Sequence, residues 1–183
     1  MKARNRFVSL ALAATLVLFL PVLAAAESAR EIDAHVDAAL ARFRQEVKGA
    51  DRLLARSRAV LVLPRVIKGG LIVGGEYGES ALRIGGRSVA YYSVAAASFG
   101  LTFGGEMKDI VLVFLDREAL RKFRVGKGWE AGVDGNVAVV KTGAGASIDT
   151  TKLNEPILGF VVGVKGLLVD ASLNGSKFTR IER

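Results

Sequence analysis

Four basic residues recur four positions apart in the first third of the chain: Arg44, Lys48, Arg52 and Arg56. On a continuous helix that spacing aims every cationic head to one side, as a ridge of positive charge. Arg65 and Lys68 follow closely. From Arg42 to Lys68 eight basic residues are set against only Glu46 and Asp51, a local charge of +6. Arginine and lysine at this density are suited to anions, with phosphate or carboxylate oxygens held by charge-assisted hydrogen bonds. The candidate anion-binding residues are therefore Arg44, Lys48, Arg52, Arg56, Arg65 and Lys68. The competing reading is a solvated helix face that serves solubility.

Other chemistry is thinly supplied. There is no cysteine, which removes thiolate nucleophiles and Cys-type zinc sites, and the single histidine, His35, cannot furnish a His-rich metal site. Its position at the edge of an apolar helix stripe makes it a boundary residue. Glu76, Glu130 and Asp134 sit in glycine-rich surroundings, and an enzyme acting on lipids would need two such carboxylates, for example Glu76 and Asp134, brought together. Gly74-Gly75 and Gly143-Ala144-Gly145 lack the Gly-Lys-Ser/Thr ending of a phosphate loop, so these glycines are read as places where strands bend or approach closely. No catalytic residue, metal ligand or cofactor is assigned.

The elements that must position the basic residues begin after a leader. Lys2, Arg4 and Arg6 precede an apolar run, Phe7 to Leu23, that ends in Ala24-Ala25-Ala26. This is the pattern of a secretory signal peptide over residues 1–26, with cleavage before Glu27. Its removal takes the net charge from +8 to +5. The remaining residues, 27–183, suit one domain: a helical arm over 27–58 and a β body over 59–183. The composition shifts at that boundary, because 20 of the 21 glycines lie between positions 69 and 175.

Ser28-Ala29-Arg30-Glu31 has capping-box spacing, and Ile32, Val36, Ala39, Leu40, Phe43 and Val47 then fall on one arc of a helix about five turns long. Gly49 is where this helix stops or kinks; if it continues through Arg56, the ridge is unbroken. The apolar stripe either packs on the β body or lies against an anionic membrane surface. Beyond it, strands are predicted at 59–63, 71–77, 81–84, 87–94, 98–103 and 110–114. Asp116 is read as the N-cap of a short helix to Arg124. Strands resume at 136–141, 145–148, 157–164, 167–173 and 178–181. Gly85-Gly86, Lys165-Gly166 and Asn174-Gly175 are hairpin turn signals. The fold class is α+β: an amphipathic helix or helix pair packed on a glycine-rich, mainly antiparallel sandwich or barrel-like body, with one short helix near 116–124.

Ordered blocks along this body resemble the SYLF (Ysc84-like) family. They are Leu61-Val62-Leu63-Pro64-Arg65-Val66-Ile67-Lys68-Gly69-Gly70, Val73-Gly74-Gly75-Glu76-Tyr77-Gly78, Tyr91-Tyr92-Ser93 and Ala97-Ser98-Phe99-Gly100-Leu101. Gly128-Trp129-Glu130-Ala131-Gly132-Val133-Asp134-Gly135, Gly143-Ala144-Gly145, Gly159-Phe160 and Lys165-Gly166-Leu167 follow. The resemblance implies a phospholipid-binding, non-enzymatic domain, whose eukaryotic relatives add phosphoinositide and actin-filament binding. Leu63 stands where family members often carry Phe. The expected partner is an anionic phospholipid surface, with a protein-interaction module and an envelope lipid-modifying enzyme as the alternatives. Actin is not expected outside the cell. Nucleic acid is not expected either, since aromatic residues are not interleaved with the ridge. The expected location is the periplasm or the exterior. Intact-mass measurement of the exported protein is expected to give Glu27 as its first residue; a membrane-bound species retaining Met1 to Ala26 would contradict that.

Overall fold

The computed structural model describes residues 27–70, 73–99, 105–126, 128–140, 152, 154–166 and 173–183. The leader, the strand expected at 145–148 and most of those at 98–103 and 167–173 lie outside the described residues. Helix α1 spans Ala29–Glu46 and opens with the expected capping box: Ser28 Oγ accepts from Glu31 N (3.3 Å), and Ser28 N donates to Glu31 Oε2 (2.8 Å). The Ser28 amide, and then the Ser28 hydroxyl, donating to the Glu31 carboxylate hold its pKa below the ordinary value. The chain leaves the helix at Val47, passes Gly49 in the left-handed region (φ 89°) and forms the short helix α2, Ala50–Arg56. The helix therefore breaks at Gly49, and an unbroken ridge does not form.

The body is one eight-stranded sheet among the described residues. Its strands are β1 (Ala59–Gly70), β2 (Val73–Ile84), β3 (Arg87–Phe99), β4 (Gly105–Phe114), β5 (Trp129–Glu130), β6 (Ala138–Val140), β7 (Ile157–Gly166) and β8 (Lys177–Ile181). Their order is β5-β8-β3-β2-β1-β4-β7-β6, antiparallel throughout except for β6 beside β7. The sheet curls into a half-barrel, the barrel-like form of the expected body. Helix α3, Arg117–Val125, follows β4 and is capped by Asp116, whose carboxylate accepts from Ala119 N (2.8 Å).

Two expected breaks are absent. β1 continues through Pro64, and β2 runs through Gly78 as one strand where two were read. Gly78 stays inside the strand because its missing side chain leaves room for Val66, whose Cγ2 would lie 2.9 Å from a Cβ at that position. Gly85-Gly86 (φ 58° and 80°) forms the β2–β3 turn as its sequence requires.

Both faces of the sheet are buried along its centre. Outward-facing Val60, Val62, Val111, Val113, Leu158 and Phe160 receive the stripe of α1, with Phe43 edge-on to Phe160 at 5.0 Å. The inner face gathers Leu61, Leu63, Leu82, Leu112 and Phe114 around Phe123 of α3, which touches Tyr92, Phe114, Trp129 and Phe178 at ring distances of 4.8–6.0 Å. Burial pushes the Tyr92 phenol upward. Curling brings Leu173 and Val137 over Gly159 of β7, and a Cβ there would lie 2.7 Å from Val137 Cγ1 and 3.0 Å from Leu173 Cδ1. Gly159→Ala is expected to lose about 1–3 kcal/mol through overpacking, read as a lower urea midpoint at unchanged slope.

Candidate functional site

The basic residues divide into three environments. Arg44, Lys48, Arg52 and Arg56 are all exposed, but the break at Gly49 distributes them: Arg44 on α1, Lys48 in the connection, and Arg52 and Arg56 on α2. Arg44 Nε donates to Asp51 Oδ1 at 3.0 Å across that break. Arg65 is exposed elsewhere, with its guanidinium 3.2 Å from His35 Nε2 and 3.6 Å from Glu27 Oε1. His35 is half-buried between Glu27 and Arg65, so the boundary residue tethers the start of α1 to β1.

Lys68 is 7% exposed and lies inside the sheet. The cause is a β-bulge. Between Leu63 and Val66, β1 carries one residue more than β4 opposite it, and the register to β2 slips between Val62 and Ile67. Arg65 supplies the bend with φ +52°, a conformation costing a non-glycine residue about 1 kcal/mol. Because side chains alternate with a period of two, one extra residue exchanges the faces. Val60 and Val62 face out before the bulge; Ile67 faces out and Lys68 faces in after it.

Lys68 thereby enters a buried charged row. Its strand neighbours in register are Glu76 on β2 and Glu106 on β4, with Lys108 two residues along β4. Lys108, 1% exposed, places Nζ 3.1 Å from Glu76 Oε2 and 3.3 Å from Glu106 Oε1. The second contact is an ion pair without hydrogen-bond geometry. Both Glu106 oxygens and Glu76 Oε1 lack a hydrogen-bond donor among the described residues, so charge attraction rather than hydrogen bonding holds Glu106 in the row. The row is nearly self-neutral, with two lysines against two glutamates. Glu76 is committed to Lys108, whereas Asp134 accepts from Glu130 N at 2.7 Å within its own turn. The register from Glu130 through Lys177 and Ala95 reaches Tyr77, beside Glu76, only after three strand spacings, about 14 Å along the sheet. The carboxylates considered for acid–base work are thus engaged separately. A cavity of about 220 Å³ between α3 and Trp129 is bordered by Asp116 and Asp134. Asp116 caps α3 and Asp134 caps its turn, so neither is placed as an acid–base pair.

Sequence reasoning missed Asp109. Buried on the outward face of β4, it accepts from Arg65 N (2.8 Å) through Oδ1 and from Arg42 Nε (2.7 Å) through Oδ2. β7 carries its own bulge opposite, at Gly163 (φ 63°), whose N–H donates to Glu46 of α1. At the other end of α1, Asp33 accepts from Ser88 and Tyr91, and Asp37 pairs with Arg83. Burial and then the Asp33 carboxylate raise the Tyr91 pKa. The helix is pinned along its length, and its stripe is covered. Among the described residues, no helix is long and apolar enough to cross a membrane.

Residues 95–182, from the end of β3 through β8, match the family model described as "Ysc84: Las17-binding protein actin regulator". This stretch belongs to the Ysc84 (SYLF) family. The chain is also similar to Beta cell expansion factor A of Aeromonas veronii, 34% identical over 88 residues, which is 48% of this chain and 32% of the relative. The chain thus spans about a third of the length of that curated relative. Family membership places this stretch among lipid-binding or actin-regulator-like modules, a family of binding domains. Within the Ysc84 window lie Asp109, Glu106, Lys108, Gly163 and Phe114, Phe123, Trp129 and Phe178 of the aromatic core; Tyr92 and the exposed arginines of α1 and α2 lie outside it.

Removing the Asp109 carboxylate deprives Arg65 N–H and Arg42 of their acceptor. Asp109→Ala is expected to destabilise by about 2–4 kcal/mol and to speed amide exchange along α1 before global unfolding. Unchanged exchange in α1 would mean that the pin is not what holds it.

Proposed function

We propose that the protein is an exported phospholipid-binding module that docks on anionic headgroups through basic side chains of its helical arm. The observation that carries this reading is the exposure of Arg44, Lys48, Arg52 and Arg56 on the pinned arm, where Asp51 alone among the described residues pairs with any of them. The membership of residues 95–182 in a family of lipid-binding or actin-regulator-like modules supports it. Arg65 contributes less, being drawn toward Glu27, and Lys68 is buried on the inner face in register with Glu76 and Glu106. Because the stripe of α1 is buried, the arm acts as a fixed electrostatic surface and does not unroll into the bilayer. No step of bond making or breaking is part of this reading.

Each basic group near an anionic leaflet contributes about 1 kcal/mol. The double variant Lys48→Glu/Arg52→Glu removes two attractions and adds two repulsions at exposed positions. Its affinity for phosphatidylglycerol-containing vesicles is expected to fall at least tenfold, about 1.4 kcal/mol, with little change on pure phosphatidylcholine. Binding of the native protein is expected to weaken with salt, as the screening length shortens from about 10 Å at 0.1 M to about 3 Å at 1 M. Co-sedimentation with vesicles measures both, and equal binding by the folded variant would remove the arm from the docking surface.

A further inference from the structure

The outward face of the sheet is only partly covered. α1 crosses it from β3, where Asp33 meets Tyr91, to β7, where Phe43 meets Phe160 and Glu46 meets Gly163. Alongside the helix, nearer the Gly70 end of β1, one register row runs over six strands: Lys177, Ala95, Tyr77, Ile67, Met107 and Lys165. Five strand spacings make it about 24 Å long. Ile67 is 58% exposed and Tyr77 52%, and they face each other directly on neighbouring strands. Met107 is half-exposed, and Ala95 and both terminal lysines are exposed. The bulge at Arg65 puts Ile67 into this row, since an unbulged strand would turn Ile67 inward and leave Lys68 outside.

We infer that this row is a membrane-contact strip, in which Ile67 and Tyr77 enter the headgroup region of an anionic lipid leaflet between flanking lysines. The inference rests on the lipid-docking reading and adds to it an apolar contact on the β body. Charge selects the occupant. Lys165 and Lys177 have no ion-pair partner among the described residues; of the acids nearby, Glu79 is paired with Arg183 and takes the Tyr77 hydroxyl, Glu27 lies with Arg65 and His35, and Glu130 stands in register beside Lys177. The strip therefore presents apolar groups inside a positive frame. Tyrosine suits the interface through its apolar ring and polar tip, and lysine stems lie along apolar surface while their ammonium groups reach phosphate. An arm that supplies only charge gives adhesion that salt abolishes; the strip supplies a component that salt leaves in place.

The test separates the two components. Ile67→Thr/Tyr77→Thr keeps the net charge and strand propensity and alters exposed side chains only, and its thermal melt verifies the fold. Vesicles of phosphatidylcholine containing phosphatidylglycerol are sedimented with native and variant protein at about 0.1 M and 1 M salt. The native protein is expected to retain binding at high salt, and the variant to lose that remainder at least fivefold. Because the chain has no cysteine, Ile67→Cys takes a single polarity-sensitive dye. Its emission is expected to shift to the blue on these vesicles. Native binding with neither a variant effect nor a dye shift would overturn the strip and leave the lipid-docking reading standing. No vesicle binding by the native protein would overturn both. A native dimer that the double variant converts to monomer would assign the strip to a second copy of the chain and overturn the membrane proposal.

Discussion

Asp109 is a buried carboxylate set between two strands that each carry one residue too many. One oxygen takes the Arg65 amide at the β1 bulge, and the other takes the Arg42 guanidinium from the helix above. On its far side the β7 bulge at Gly163 turns an amide to Glu46 of the same helix. A positive-φ arginine would be strained in isolation; here the surrounding ladder and the carboxylate hold it. Both bulges exchange the faces of their strands, so the lower sheet has a different inner and outer surface from the upper sheet. The exchange on β1 brings Lys68 into the buried charged row and Ile67 into the exposed apolar row, beside residues of β2 and β4 that keep their own alternation.

Above the bulges the sheet is apolar on both faces, because the helix covers one and the curled sheet with α3 covers the other. Below them the inner face holds Lys68, Glu76, Glu106 and Lys108, and the outer face holds Ile67 and Tyr77. This inverts ordinary burial preference. Buried ion pairs rarely stabilise relative to apolar packing of the same shape, and Glu106 here lacks hydrogen-bond donors among the described residues. The inverted end is the costly part of the fold.

A lipid-binding reading that relied on release of the amphipathic helix would have to expose Ile32, Val36, Ala39 and Phe43, all fully buried. It would also break the ties to Arg83, Tyr91, Asp109 and Gly163. The pinned helix instead serves as a rigid support that carries its basic side chains on the solvent side. Glu76 and Asp134 are engaged separately on this scaffold, and the Ysc84 family is a family of binding domains.

The sequence by itself determined the elements whose signals are local. The capping box at Ser28, the stripe from Ile32 to Phe43, the Asp116 cap and the Gly85-Gly86 turn depend on residues within a few positions of one another. The SYLF-like blocks also named the family, and the α+β class followed from strand and helix periodicity. Tertiary structure decided everything that depends on strand register. Pro64 and Gly78 read as breaks but lie inside strands, because Val66 fills the space left by Gly78. Arg65 and Lys68 read as two more surface cations continuing the ridge. A single inserted residue, stabilised by a carboxylate 44 positions away, sends Lys68 inward and Ile67 outward. Periodicity of two carries no record of where an extra residue will be absorbed; only the partner strands fix that position.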